Sequence, residues 1–262
     1  MGGYVLQQRQ LGSTDMYVSV LGLGTVKFGR NEGVKYPTAF GLPSDAEIKN
    51  LLSLATESGI NLLDTAPAYG ISEERLGKLL QGQRQRWIIS TKAGEEFENG
   101  ESRYDFSPLA IRLSVERSLK RLKTDYLDIV LGHSNGEDQR IIHDDEIFVT
   151  LNDLKREGKI RAYGMSTKTV EGGLETIKHA DIAMVTYHHA EPQDKVVIQL
   201  AHELHKGIFI KKAFASGHLQ TSTIKHTPKE ALQFVLAEPG VSSVVIGTIN
   251  PDHLLENITA AN

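Results

Sequence analysis

From residue 18 onward, short apolar runs alternate with longer stretches whose apolar positions recur every three or four residues. The short runs are Val18–Gly24, Asn61–Leu63, Trp87–Lys92, Leu127–Leu131, Ile160–Met165, Ile182–Tyr187, Gly207–Lys211 and Ser243–Ile246. They are apolar almost throughout, as strands buried on both faces are, so they predict a parallel sheet covered by helices. The stretches between them read as helices. Ser44 with Glu47 forms a capping box ahead of Ile48, Leu51, Leu52 and Ala55, and Gly59 ends that helix. Further helices follow over Ser72–Leu80, from Ser107-Pro108 to Leu122, and over Glu146–Arg156, Val170–Ile177, Gln193–His205, Thr227–Leu236 and Pro251–Ala260. In Gln193–His205 the inward positions read as Val197, Leu200, Ala201 and Leu204.

Eight strand–helix units joined by short connections predict an α/β fold of the (β/α)8 TIM-barrel type, a single domain over residues 1–262. A doubly wound sheet fits less well, because the glycines of LGLGTVKFG do not have G-x-G-x-x-G spacing. Residues 4–11 read as a short β-ribbon ahead of the barrel, with Gly12 and Asp15 at its turn. Lys27 to Pro43 reads as a long loop, and its Phe28, Tyr36 and Phe40 suggest a flap over a site.

Composition narrows the classes of function. The chain is 40% hydrophobic and 24% charged with net charge −4, which argues against nucleic-acid and anionic-membrane partners. It has no cysteine, so disulfides, thiolate nucleophiles and Cys-ligated zinc are excluded. There is no secretory signal at the start and no apolar run of membrane-spanning length, so a cytoplasmic protein is expected.

Active sites of such barrels lie at the carboxyl ends of the strands. Those ends carry Gly24-Thr25, Asp64, Lys92, His133, Ser166-Thr167, Tyr187-His188, Lys211-Lys212 and Gly247-Thr248, with Tyr69 just beyond the second. Any one of these alone reads as a satisfied rim residue or helix cap. Together, Asp64, Tyr69, Lys92 and His133 fall on consecutive units and make a proton-transfer set. A phenol near pKa 10 is a poor acid at neutral pH, an adjacent ammonium lowers that value, and a carboxylate keeps the ammonium charged. A histidine can hold the substrate oxygen. One aspartate and one histidine make an incomplete metal set, and no G-x-S-x-G supports a serine hydrolase.

These same segments resemble the aldo-keto reductases along nearly the whole chain. LLDTAPAYGISEERLG is similar to the family's Asp-Thr-Ala-x-x-Tyr-Gly signature, IISTKAG to its lysine segment, YLDIVLGHSNG to its histidine segment and GKIRAYGMS to its fifth strand. The resemblance implies Asp64, Tyr69, Lys92 and His133 as a catalytic tetrad with Tyr69 as general acid, and hydride transfer from a nicotinamide cofactor to a small-molecule aldehyde or ketone. It implies cofactor contacts at Gly24, Thr25, Ser166, Thr167, Lys211, Lys212, Phe214, Ser216, Gly217, Leu219, Gly247, Thr248, His253 and Asn257. The implied cofactor is NADP(H) in preference to NAD(H).

Departures weaken that preference. Thr167 stands where the family usually has asparagine, Met184 where it has glutamine, and Lys211 where an aromatic stacks on the nicotinamide, leaving Phe214 or Tyr187 to serve. Gly247 replaces a basic residue, and His253 replaces the arginine that reads a 2′-phosphate. The chain stops after its last helix, so an open pocket shaped by Phe28, Tyr36, Phe40 and Tyr104 is expected, with His188 and His189 as further candidates. The other readings are an NAD-dependent sugar or alcohol dehydrogenase running in reverse and a non-catalytic, cofactor-binding regulatory subunit. The sequence leaves oligomeric state open.

Overall fold

The computed structural model describes residues 5–34, 39–215 and 226–262. The chain opens with an antiparallel pair, β1 (Gln8–Gln10) and β2 (Tyr17–Ser19). β3 (Leu21–Gly24), β4 (Leu62–Asp64) and β5 (Ile88–Ala93) then enter the main sheet. A second antiparallel pair, β6 (Glu95–Glu98) and β7 (Glu101–Tyr104), is inserted directly after β5. The main sheet resumes with β8 (Leu127–His133), β9 (Ile160–Ser166), β10 (Ile182–Thr186), β11 (Gly207–Lys211) and β12 (Ser243–Ile246). β3, β4, β5 and β8 to β12 close into an eight-stranded barrel in which every neighbouring pair is parallel.

Among the described residues, the helices are α1 (Val26–Gly29), α2 (Asp45–Glu57), α3 (Ser72–Leu79), α4 (Pro108–Leu122), α5 (Asp138–His143), α6 (Ile147–Arg156), α7 (Val170–His179), α8 (Lys195–Glu203), α9 (Pro228–Leu236) and α10 (Pro251–Ala261). Local chemistry starts several of them where expected. Ser44 and Glu47 complete a reciprocal capping box at α2, as Thr227 and Glu230 do at α9, and both satisfy otherwise orphaned N–H groups. Ile48, Leu51, Leu52 and Ala55 form the buried stripe of α2.

The core has two shells. One lies between barrel and helices; the other fills the barrel with Leu62, Ile129, Leu131, Ala162, Ile182 and Phe209. The β1–β2 ribbon closes the bottom of the inner shell with Leu11, Met16 and Val18. Its turn needs glycine, since Gly12 has φ +56° and a Cβ there would lie 2.7 Å from the Gly207 nitrogen. With the bottom plugged and the wall covered, the strands' carboxyl ends remain the accessible rim.

Three expectations need correction. Residues 27–43 are not one loop: Val26–Gly29 forms α1, and Phe28 is fully buried in the core, because α1 packs on α3 and the turn leading into it. Phe28 is therefore packing, not flap. Leu204 is 45% exposed, because α8 ends at Glu203 and the chain leaves the helix before that position turns inward. The β6–β7 pair and α5 are additional elements. Tyr36 lies outside the described residues.

Candidate active site

β4 ends on Asp64, and β5 carries Lys92 one residue before its end, so parallel pairing sets the two side chains on the same rim. Lys92 Nζ donates to Asp64 Oδ1 and Oδ2 at 2.8 and 2.7 Å and to the Thr65 carbonyl at 2.9 Å. Ser90 Oγ donates to Asp64 Oδ1 at 3.2 Å. Both charged residues are buried. Burial alone disfavours the Lys92 ammonium, but Asp64 and Tyr69 outweigh it and push its pKa above the ordinary value.

The chain after β4 turns at Gly70 (φ +61°), where a Cβ would lie 2.2 Å from the Gly29 carbonyl oxygen. That close turn presents Tyr69 inward, with the Lys92 ammonium 4.8 Å from its ring centroid. Burial pushes the phenol's pKa up; Lys92 pulls it down, while Asp64 and Glu95 push with burial. The net direction is upward, so the lysine does not produce the lowered value expected from sequence. Tyr69 keeps its proton at neutral pH, as a proton donor must.

His133 ends β8, and its ring meets Tyr69 edge-on at 6.2 Å between centroids. Its Nδ1 lies 2.7 Å from Glu95 Oε2, a contact bent away from the ring N–H direction. Glu95 opens the β6–β7 pair and also accepts from Ser102 Oγ at 2.6 Å. Burial opposes the Glu95 charge, but His133 beside it and hydrogen bonds from Ser102 and Tyr104 hold its pKa down to about 2. Burial pushes His133 below its ordinary value; Glu95 opposes that shift, and Lys92 and Lys211 add to it. Sequence reasoning missed Glu95. The available signal was Asn99-Gly100, a tight-hairpin dipeptide, here with φ 52° and 84°.

From the tetrad a cavity of about 990 Å³ runs across the ends of β9 to β12 and β3. Gly24, Ser166, Thr167, Lys211, Phe214 and Gly247 line it, as do Lys212, Met184 and Tyr104. Lys211 donates to Ser166 Oγ at 2.9 Å and to the Thr167 carbonyl at 2.6 Å. Burial, reinforced by Lys212 and Lys92, pushes its pKa down to about 7.

Other expected residues lie off the cavity lining. Thr25 is buried in a brace, donating to the Asp64 carbonyl at 3.0 Å and accepting from Ser72 Oγ at 2.8 Å. Thr248 Oγ1 accepts from the Asn250 N–H at 3.0 Å. On α10, Asn257 is buried and His253 exposed. Tyr187 does not serve the ring site, because it stacks on Phe234 and donates to Glu238 Oε1 at 3.1 Å. His188 and His189 also stay off the lining; His189 stacks on His226 and Phe234. Ser216, Gly217 and Leu219 lie outside the described residues.

A nicotinamide nucleotide suits this cavity. The apolar surfaces of Met184 and Val245 offer a wall for a flat ring, and buried Thr167 Oγ1 has no hydrogen-bond partner. An orphaned buried hydroxyl at the wall is what an amide-bearing ligand would satisfy.

A sequence profile described as the aldo/keto reductase family matches residues 20–230. A solved Pseudomonas aeruginosa chain assigned to the aldo-keto reductases is 49% identical and superposes with a TM-score of 0.91, covering 99% of this chain and 96% of that one. The uncharacterized oxidoreductase YqkF of Bacillus subtilis is 29% identical, with 98% of this chain and 92% of that protein covered. The NADH-specific methylglyoxal reductase of Escherichia coli is 26% identical, with 96% and 92% covered.

Proposed function

The chain belongs to the aldo/keto reductase family of oxidoreductases, and from that premise we propose that it reduces aldehydes or ketones with a nicotinamide cofactor, Tyr69 donating the proton. The observation that carries this reading is the buried Lys92–Asp64 pair set against a protonated Tyr69 at the mouth of the cavity. A reduced nicotinamide held in this cavity would supply the hydride for the carbonyl carbon. Tyr69 gives its phenolic proton to the carbonyl oxygen, and the Lys92 ammonium stabilises the phenolate left behind. Asp64 keeps Lys92 charged and in place. His133 lies where it can hold the substrate oxygen beside Tyr69.

For the cofactor, the cavity favours Ser166, Thr167, Lys211, Phe214 and Gly247 as contacts, with Lys212 at its edge. Thr25, Thr248 and Asn257 act by shaping the surrounding loops. The family resemblance favours NADP(H). The E. coli relative is NADH-specific by name, and an exposed His253 gives a 2′-phosphate far less than a guanidinium does, so the preference over NAD(H) is small. Among the described residues no helix is long and apolar enough to cross a membrane.

Calorimetric titration with NADPH and with NADH, followed by a panel of carbonyl substrates at fixed cofactor, tests the proposal. The expected result is binding of at least one reduced nucleotide and its oxidation on adding a carbonyl. Failure to bind either nucleotide would overturn it.

A further inference from the structure

The contact between Glu95 and His133 has consequences for how the site reads oxygen, on the footing that the chain is a reductase. Nδ1 of His133 is buried, whereas the side chain as a whole keeps 20% exposure, so the ring opens to the cavity through the edge bearing Nε2. Glu95 is ionised and can only accept. The contact lies off the N–H axis, so it acts through charge: a carboxylate oxygen 2.7 Å away favours the proton on Nδ1 over bare electron density there, so Nδ1 carries a proton. Neutral imidazole has a single N–H, and a proton held on Nδ1 by that charge leaves Nε2 without one.

We infer that Glu95 is a positioning residue that fixes the tautomer of His133, so that its cavity-facing Nε2 accepts a hydrogen bond from a substrate hydroxyl when neutral and donates one to a carbonyl only as imidazolium. The charged groups around the ring come from several elements. Tyr69 lies beyond β4, Lys92 on β5, Glu95 on β6 and Lys211 on β11. Tyr104 on β7 and Arg30 after α1 act on Glu95. The two cations oppose the imidazolium and Glu95 alone favours it, so the carboxylate decides how far toward neutral pH the donor form survives. Carbonyl reduction should decline as pH rises through the His133 titration, while a hydroxylated product or substrate is held better above it.

Two readouts test this. In the ligand-free protein, ¹⁵N-resolved histidine spectra, with His133 assigned from a His133→Asn variant, report the tautomer directly. The wild type should show protonated Nδ1 and pyridine-like Nε2, and Glu95→Gln should shift His133 toward the Nε2–H form. In turnover, Glu95→Gln should move the alkaline decline of kcat/KM down by about one pH unit, a loss of about tenfold on that limb. Glu95→Asp, which keeps the charge, should recover part of the shift. Nε2–H in the wild type, or a tautomer and pH limb unmoved in Glu95→Gln, would overturn the inference. A protein that binds no nicotinamide nucleotide yet keeps protonated Nδ1 overturns the reductase reading and supports the assignment to Glu95.

Discussion

Replacing Lys92 by methionine removes one charge from the most buried ion pair of the rim while keeping much of the side chain's length. Wild-type Nζ makes bonds of 2.8, 2.7 and 2.9 Å to Asp64 and the Thr65 carbonyl, and the two side chains are 1% and 5% exposed. In the variant, the Asp64 carboxylate keeps Ser90 Oγ at 3.2 Å. Leaving one member of a buried pair uncompensated costs about 3–5 kcal/mol. Against a total stability of about 5–15 kcal/mol that is a large fraction. For a chain of this size it corresponds to a fall of roughly 6–20 °C in Tm. Urea unfolding and thermal scans of wild type, Lys92→Met, Asp64→Asn and the double variant form a cycle. The double variant should recover at least half of the single variant's loss, because no unpaired charge remains. A Lys92→Met protein within about 1 kcal/mol of wild type, or a double variant no more stable than the single, would refute the reasoning.

Lys211 makes stability rise with pH. Its folded-state pKa of about 7 lies below the ordinary 10.5, so between those values the unfolded chain binds more protons than the folded one. The wild-type urea midpoint should climb from about pH 7 toward about pH 10, and Lys211→Met should flatten that climb. Thr169 caps α7 through the Gly172 N–H at 3.0 Å and donates to Asp138 at 2.7 Å, so Thr169→Ala should cost about 1–2 kcal/mol in urea unfolding. His253→Arg, on the exposed face of α10, should tighten NADPH over NADH by about tenfold in parallel titrations, and an unchanged ratio would remove α10 from 2′-phosphate recognition.

The strands and most helices were legible because burial on both faces writes a continuous apolar run into a strand, and burial on one face writes a period of 3.6 into a helix. α2 shows this well: its capping box and its stripe from Ile48 to Ala55 were both readable. The β6–β7 pair was not, because EEFE and ESRY sit above the rim and bury little. Phe28 misled for the opposite reason, since an aromatic in a glycine-rich stretch looks like a loop side chain until α1 packs it inward. Asp64, Lys92 and His133 could be placed on the rim from strand ends alone, as parallel pairing fixes which residues share it. The direction of the Tyr69 shift could not, because it depends on a balance between burial and Lys92 that spacing does not contain. Glu95 was hidden for a similar reason: its partner His133 lies on a strand one step around the barrel.

On the proposed reading Tyr69 passes the proton while other residues of the same cavity hold the cofactor. Tyr69→Phe keeps the ring and removes the acid, so it separates the two directly. Carbonyl reduction should fall by about 10²–10⁴-fold, while the variant binds the reduced nucleotide as wild type does. Full turnover in Tyr69→Phe, with the nucleotide still bound, would contradict the claim.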